Sequence, residues 1–174
     1  MPYIQLPAAD EYAPVYEKYL APLSGDMFEL LQSQARTTAA LLAATPESRA
    51  GHRYAEGKWS VKEVVGHLAD SERVFAYRAL RFARADTTDL AGFEEDDFVA
   101  NGGFDRRSLA SIAAEYAVVR AATIALFESL DEQALLRRGT ANGSGVSVRA
   151  LAALIAAHER HHVGLLRERY GLIG

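Results

Sequence analysis

Four segments of the chain repeat apolar residues at intervals of three and four, the spacing of a helix with one buried face. They cover residues near 26–44, 60–84, 105–130 and 147–170. No segment alternates apolar and polar residues over the length of a strand, so the pattern predicts an all-α protein. Four long helices in 174 residues indicate a single-domain four-helix bundle.

Local sequence supports these helix ends. Ser60 is followed three residues later by Glu63, which is the spacing of a capping box at a helix start. Gly171 follows the last segment, where glycine commonly ends a helix. The polar stretch Asn142–Gly145 is expected to be flexible, and Val146–Val148 is too short to count as a strand.

The predicted connections between helices are long for a bundle. Loops beyond about 12–15 residues are uncommon unless they are functional or disordered. Aromatic residues within the connections predict that they pack over one end of the bundle. These residues are Tyr54, Phe93, Phe98 and Phe104. The acidic run 94–97 is expected to be a solvated loop.

Composition narrows the classes of protein that fit. The absence of cysteine excludes a disulfide scaffold, a thiolate zinc site and an internal thiol nucleophile. A net charge of −4 argues against a nucleic-acid partner. Residues 1–10 lack a secretory leader pattern, and the apolar stretches are shorter than the roughly 20 residues expected of a membrane span. We therefore expect a cytoplasmic protein with no membrane or nucleic-acid partner.

Two histidines lie within the apolar face of the fourth predicted helix. His158 and His162 are one turn apart, separated by about 40° around the helix axis. Each buried imidazole must satisfy two ring nitrogens. The pair therefore either forms hydrogen bonds in the core or holds one metal ion, as an i, i+4 pair can.

A third histidine, His67, lies on an unusually polar face of the second predicted helix. That face is either solvated or lines a polar cavity inside the bundle. If the cavity exists, three neutral imidazoles would leave a tetrahedral ion one open position, as in catalytic sites. Zinc and nickel both suit imidazole ligands.

Further polar residues are candidates for supporting roles. Glu159 could orient an imidazole, Asp70 could be an outer acid, and Arg78 could hold an anionic cofactor. Each also has a simpler interpretation. Glu159 could be an acid on the helix surface, Asp70 could be exposed, and Arg78 could lie at the bundle edge with its guanidinium in solvent. His161 is interpreted as a surface residue or one beside the ligands, and His52 as solvated.

Residues 59–72, with the sequence Trp-Ser-Val-Lys-Glu-Val-Val-Gly-His-Leu-Ala-Asp-Ser-Glu, resemble the start of the second helix in the DinB/YfiT-like superfamily. Residues 157–162, Ala-His-Glu-Arg-His-His, resemble the ligand segment of its fourth helix. The loop 92–96 and the segment 138–148 are also similar to members. The resemblance extends over nearly the whole chain, from about residue 12 to residue 170.

The resemblance implies a four-helix bundle in which His67, His158 and His162 hold a divalent metal, with homodimers common. Characterised relatives activate bacillithiol, mycothiol or glutathione for S-transfer or isomerisation. We therefore predict a zinc- or nickel-dependent enzyme that transfers such a thiol to an electrophilic small molecule, with Arg78 binding the cofactor. The thiol must come from the cofactor because the chain has no cysteine. A metal-dependent hydrolase and a non-catalytic bundle that binds metal or a small ligand remain alternatives.

Overall fold

The computed structural model describes residues 3–173 and confirms the predicted all-α, four-helix bundle. The helices are α1 (Glu17–Leu20), α2 (Met27–Ala44), α3 (Glu47–Ala50), α4 (Val61–Ala83), α5 (Glu95–Gly102), α6 (Leu109–Glu128), α7 (Glu132–Leu136) and α8 (Val148–Glu168). Strands β1 (Arg138–Ala141) and β2 (Ser144–Ser147) form an antiparallel hairpin. The bundle consists of the long helices α2, α4, α6 and α8.

Each bundle helix begins after a side chain that caps it. The oxygens of Asp26, Ser60, Ser108 and Ser147 accept backbone N–H groups in the first turns of α2, α4, α6 and α8. The predicted capping box is present at α4. Ser60 Oγ accepts the N–H of Glu63 at 3.1 Å, and the Glu63 carboxylate accepts the N–H of Ser60 at 2.7 Å.

Helix α6 begins later than the sequence pattern predicts. Gly103 adopts a left-handed conformation with φ +63°, and Phe104–Arg106 forms a separate 3₁₀ turn. Ser108 then caps the helix at Leu109 rather than near residue 105. Two local structures, rather than one continuous helix, therefore occupy this stretch.

The stretch expected to be flexible is the turn of the β1–β2 hairpin. Asn142 and Gly143 have φ values of +51° and +71°, as a two-residue type I′ turn requires. Leu90 pairs with Ala141 beside this turn, which attaches the α4–α5 connection to the hairpin. Strands of four residues are too short to show an alternating pattern, so the sequence does not predict this hairpin, and Val146 belongs to β2 contrary to expectation.

Two of the three pairs of consecutive bundle helices, α2 with α4 and α6 with α8, lie diagonally across the bundle. Helix α4 packs against α6 and α8, and α2 packs against the same two helices. The connections from α2 to α4 and from α6 to α8 therefore cross the bundle instead of joining neighbours. This topology explains why those connections are long.

The aromatic residues of the connections were predicted to pack over the bundle, and only some of them do. Phe104 is buried against Gly66 and Gly102, but Phe98 and Tyr54 are exposed. The acidic run is exposed as predicted, yet residues 95–97 form the first turn of α5 rather than a loop. Acidic side chains there favour a helix start through its dipole.

One buried arginine joins all four bundle helices. Arg120 of α6 forms two 2.8 Å hydrogen bonds with Glu72 of α4. It also lies 2.6 Å from the Glu159 carboxylate of α8 and donates to the Leu31 carbonyl of α2. All three charged side chains are buried, and Thr38 donates to the Glu159 carboxylate.

By length and composition alone, α6 is apolar enough to cross a membrane. This finding differs from the expectation that the apolar stretches are too short. In the fold, α6 packs against α2 and α4 and buries Tyr116 and Arg120 between the helices. Its buried face therefore belongs to the bundle core.

Candidate metal centre

Helices α4 and α8 bring together the three histidines that the sequence singles out. One ring nitrogen from each of His67, His158 and His162 lies within 4.8 Å of the other two. The Nε2 atoms of His67 and His158 are 2.9 Å apart. The polar face of α4 therefore lines an interior site, which resolves the alternatives that the sequence left open for His67.

Burial keeps these imidazoles neutral. It lowers the pKa of His67 to about 4, and burial together with the neighbouring imidazoles lowers that of His162 to about 3. The pKa of His158 also falls well below its ordinary value, chiefly through burial and then through His162 and His67. Neutral imidazoles have the lone pairs that a metal ion requires.

The cluster meets the requirements of a divalent cation. His162 Nδ1 is buried without a hydrogen-bond partner among residues 3–173, an arrangement that costs free energy in an apolar site. Ligand nitrogens around tetrahedral zinc are roughly 3.3 Å apart, so His67 and His158 need separate only slightly. An all-imidazole set suits zinc or nickel better than calcium or magnesium.

Two of the three histidines, His158 and His162, line a cavity of about 450 Å³. Helices α4 and α8, the N-terminal segment, the α4–α5 connection and the hairpin turn form its walls. The lining residues are Tyr16, Tyr19, Ser71, Phe75, Arg78, Phe93, Glu94, Glu95, Asn142, Leu154, Ala157, His158, His161 and His162. The site therefore has space for a small molecule beside the imidazoles.

Glu95 is the acidic side chain nearest to the cluster. Its Oε2 atom lies 3.8 Å from Nε2 of His67, and the side chain is largely exposed. Partial desolvation, together with the neighbouring charges of Asp96 and Glu94, raises the pKa of Glu95. A carboxylate at this position can accept a hydrogen bond from a molecule bound next to the imidazoles.

The two predicted acidic helpers contact other partners. Glu159 points toward Thr38 and Arg120, on the core side of α8. Asp70 pairs with Arg73 and does not line the cavity. Among the residues that the structure describes, neither carboxylate forms a hydrogen bond with the three histidines.

The remaining candidates divide between the cavity and the surface. Arg78 lines the cavity on the same face of α4 as His67. His161 also lines it, with its ring centre 5.0 Å from that of His162. His52 is exposed beside Tyr170, with 6.2 Å between ring centres, and therefore lies outside the candidate site.

Several cavity residues lie outside the four bundle helices, and the helical periodicity could not identify them. They include Tyr16, Phe93, Glu95 and Asn142. The Asn-Gly pair at 142–143 is a strong hairpin pattern and could have placed one of them on a turn. No pattern in the sequence indicates that the others meet at the histidines.

The fold and the cluster together define a helical-bundle protein with a candidate three-histidine metal centre. The chain belongs to the DinB superfamily, whose family model matches residues 29–166. No curated protein matches the chain significantly in sequence.

Solved structures of low sequence identity share the fold. YfiT from Bacillus subtilis, described as a probable metal-dependent hydrolase with an unusual four-helix bundle topology, is 18% identical with a TM-score of 0.71. The match covers 96% of this chain and 94% of YfiT. The DinB-like protein YjoA from Bacillus subtilis is 25% identical, with coverages of 80% and 85% and a TM-score of 0.58.

A mycothiol-dependent maleylpyruvate isomerase is also similar. It is 14% identical with a TM-score of 0.68, and the match covers 85% of this chain and 60% of the isomerase. The shared part is therefore a bundle that occurs in proteins described with different activities. The shared fold therefore does not specify the reaction of this chain.

Proposed function

We propose that this protein is a divalent-metal-dependent enzyme that transfers a low-molecular-weight thiol to an electrophilic small molecule. The observation that carries the proposal is the cluster of three neutral histidines, two of which line a 450 Å³ cavity. His67, His158 and His162 would hold zinc or nickel. Bacillithiol, mycothiol and glutathione are the candidate thiols.

The chemistry divides between the metal and the chain. A bound divalent ion would lower the pKa of a thiol enough to form thiolate near neutral pH. The histidines would hold the ion, and the apolar side chains of Phe75, Phe93 and Leu154 would shield part of the thiol from water. The sulfur then forms a bond to the electrophilic carbon, whose leaving group departs with its electron pair. The thiol proton passes to solvent.

A hydrolase is the second candidate. Glu95 Oε2 lies 3.8 Å from His67 Nε2, close enough to accept a hydrogen bond from a water molecule beside the imidazoles. The similarity to YfiT, described as a probable metal-dependent hydrolase, supports the same alternative. A bundle that binds a metal or small ligand without turnover is the remaining alternative.

Metal content and transfer activity test the proposal together. We expect untagged wild-type protein to bind about one zinc or nickel ion per chain, and His158→Ala to lose it. Trp59 is the only tryptophan, and its ring centre lies 4.7 Å from that of His67. Nickel binding should therefore quench its fluorescence. His52→Ala is the matched control, because His52 lies outside the cavity.

Activity is then measured with bacillithiol, mycothiol and glutathione in parallel, with 1-chloro-2,4-dinitrobenzene as the electrophile. Metal-dependent release of chloride with one of these thiols supports transfer. Metal-dependent cleavage of ester substrates without a thiol would replace transfer by hydrolysis. Metal binding without either activity would leave a non-catalytic metal-binding bundle, and failure to bind metal would overturn the proposal.

The homodimer and the cytoplasmic location implied above remain predictions. Light scattering coupled to size-exclusion chromatography tests the first, and cell fractionation tests the second.

A further inference from the structure

Arg78 presents a buried positive charge to the cavity without an acidic partner. The residue is only 7% exposed, and no carboxylate lies within salt-bridge distance in the part of the chain that the structure describes. Its one hydrogen bond to the protein runs from Nη2 to the Ala91 carbonyl at 2.8 Å. A guanidinium has five N–H donors, so most of them remain available.

The environment of Arg78 favours a singly charged, planar anion. Its guanidinium carbon lies 5.9 Å from the ring centres of both Phe75 and Phe93. Aromatic rings leave the edge of the guanidinium to form paired hydrogen bonds with a carboxylate. Arg78 is the sole Lys or Arg side chain among the described residues that line the cavity. Glu94 and Glu95 line it too, which disfavours a dianion such as phosphate.

The distances from Phe75 to His158 and to Arg78 limit the length of a molecule that can contact both. Its ring centre is 5.9 Å from the His158 ring centre and also 5.9 Å from the Arg78 guanidinium carbon. The imidazole and the guanidinium are therefore no more than twice that distance apart. A compact acid, in which a few bonds separate the carboxylate from the reacting atom, can contact both.

The wall that holds Arg78 is itself fixed. Leu90 forms two backbone hydrogen bonds with the hairpin, at Thr140 and Asn142. A Cβ atom on Gly92 would lie 2.3 Å from the Asn142 side chain, so the connection and the turn are in close contact. This contact holds the Ala91 carbonyl at Arg78, and the guanidinium is oriented before any ligand binds.

We propose that Arg78 is a carboxylate-binding site, and that the protein acts on a compact carboxylic acid whose apolar body lies between Phe75 and Phe93. The carboxylate belongs either to the thiol or to the electrophile of the proposed reaction. The identity of that reaction rests on the proposed function, whereas carboxylate binding by Arg78 does not require the metal.

The first experiment measures binding to the full-length, metal-free protein. The probes are 3-phenylpropionate and its neutral amide, titrated by isothermal calorimetry or ligand-observed NMR. We expect the carboxylate to bind at least tenfold more tightly than the amide. Arg78→Gln should abolish this difference, and Arg78→Lys should retain part of it because charge remains without the paired donors.

Arg84→Gln is the matched control, because Arg84 is the exposed residue that caps the C-terminus of α4 and does not line the cavity. It should retain the full preference for the carboxylate. Equal binding of acid and amide by the wild type would overturn the proposal, and so would an unchanged preference in Arg78→Gln. Thermal unfolding of each variant excludes a general loss of structure.

The second experiment identifies which reactant bears the carboxylate. Zinc-loaded protein is assayed with N-acetylcysteine or its amide, and with 4-(chloromethyl)benzoate or its amide. A preference for one acid that disappears in Arg78→Gln assigns the carboxylate to that reactant. If zinc-loaded protein transfers no thiol while the metal-free protein still prefers the carboxylate, the proposed function fails and the Arg78 site stands.

Discussion

The three candidate metal ligands are histidines, and burial keeps their rings neutral. The consequence extends beyond metal binding, because an unfolded chain exposes the same rings to solvent. Unfolded histidine takes up a proton near pH 6.5, whereas His67 resists protonation to about pH 4 and His162 to about pH 3. Acid therefore favours the unfolded state of the metal-free protein.

We predict that the free energy of unfolding falls as the pH is lowered from about 6.5 toward 4.5. Each such histidine contributes up to about 1.4 kcal/mol per pH unit within this range. Urea unfolding of the metal-free protein at several pH values measures the slope. His162→Gln should reduce the slope, and the exposed-site control His52→Gln should not; a slope equal in all three proteins would contradict the argument.

At the same scale, Arg78 shows why burial alone does not identify a function. Arg120 is also buried, but two carboxylates surround it inside the bundle. Arg78 has no such partner among the described residues and lines a cavity instead. The contrast separates an arginine that joins helices from one that is available to a ligand.

At the scale of the elements, two glycines lie within bundle helices and differ in the atoms that surround them. A Cβ atom on Gly66 of α4 would lie 2.3 Å from the ring of Phe104, which is buried. Gly164 of α8 has nothing within 4 Å of the corresponding position. The first glycine allows the 3₁₀ turn to pack on α4, and the second has no such contact.

We predict that Gly66→Ala lowers the free energy of unfolding by about 1–3 kcal/mol, because the Phe104 ring must move. Gly164→Ala, the matched control, should raise it by about 0.5–1 kcal/mol through the better helix propensity of alanine. Urea unfolding measures both variants under identical conditions. The packing argument fails if both substitutions stabilise the protein equally.

The sequence predicts helical elements well where their own residues determine them. The capping box at Ser60 and the apolar face around His158 depend on neighbours in the chain, and both are visible in the pattern. The 3₁₀ turn at Phe104–Arg106 and the hairpin depend on glycine and asparagine conformations that helical periodicity does not detect.

At the candidate site, the sequence predicts the three histidines but not the cavity beside them. His67 is ambiguous until α4 is placed beside α8, because its polar face suits solvent equally well. Glu95 and Phe93 reach the site through a connection whose path depends on contacts with the hairpin. The diagonal order of the bundle has no local pattern, so the sequence could not predict which helices are neighbours.

At the scale of the whole molecule, Arg120 links the four bundle helices through Glu72, Glu159 and the Leu31 carbonyl. Removing only the guanidinium would leave two carboxylates buried without their cation. The cost of such a change is typically larger than the net contribution of the intact group, because desolvation of the acids is no longer offset.

We predict that Arg120→Met lowers the free energy of unfolding by about 3–5 kcal/mol. Replacing Glu72 and Glu159 by leucine in the same chain should recover most of that loss, because no buried charge then remains. Arg138→Met is the control, since Arg138 forms an exposed pair with Asp10 and should change stability little. Additive losses in the triple variant, measured by urea unfolding, would contradict this account.

The same three side chains also contribute to the electric charge of the bundle interior. Two carboxylates face one guanidinium, so this group has an excess of one formal negative charge. Arg78 adds one buried positive charge at the cavity, so these four side chains together carry no net formal charge. A divalent cation at the neutral imidazoles would therefore add two positive charges that these groups do not compensate. Because a medium of low polarity disfavours net charge, such a cation would favour the binding of anionic groups in the cavity beside it.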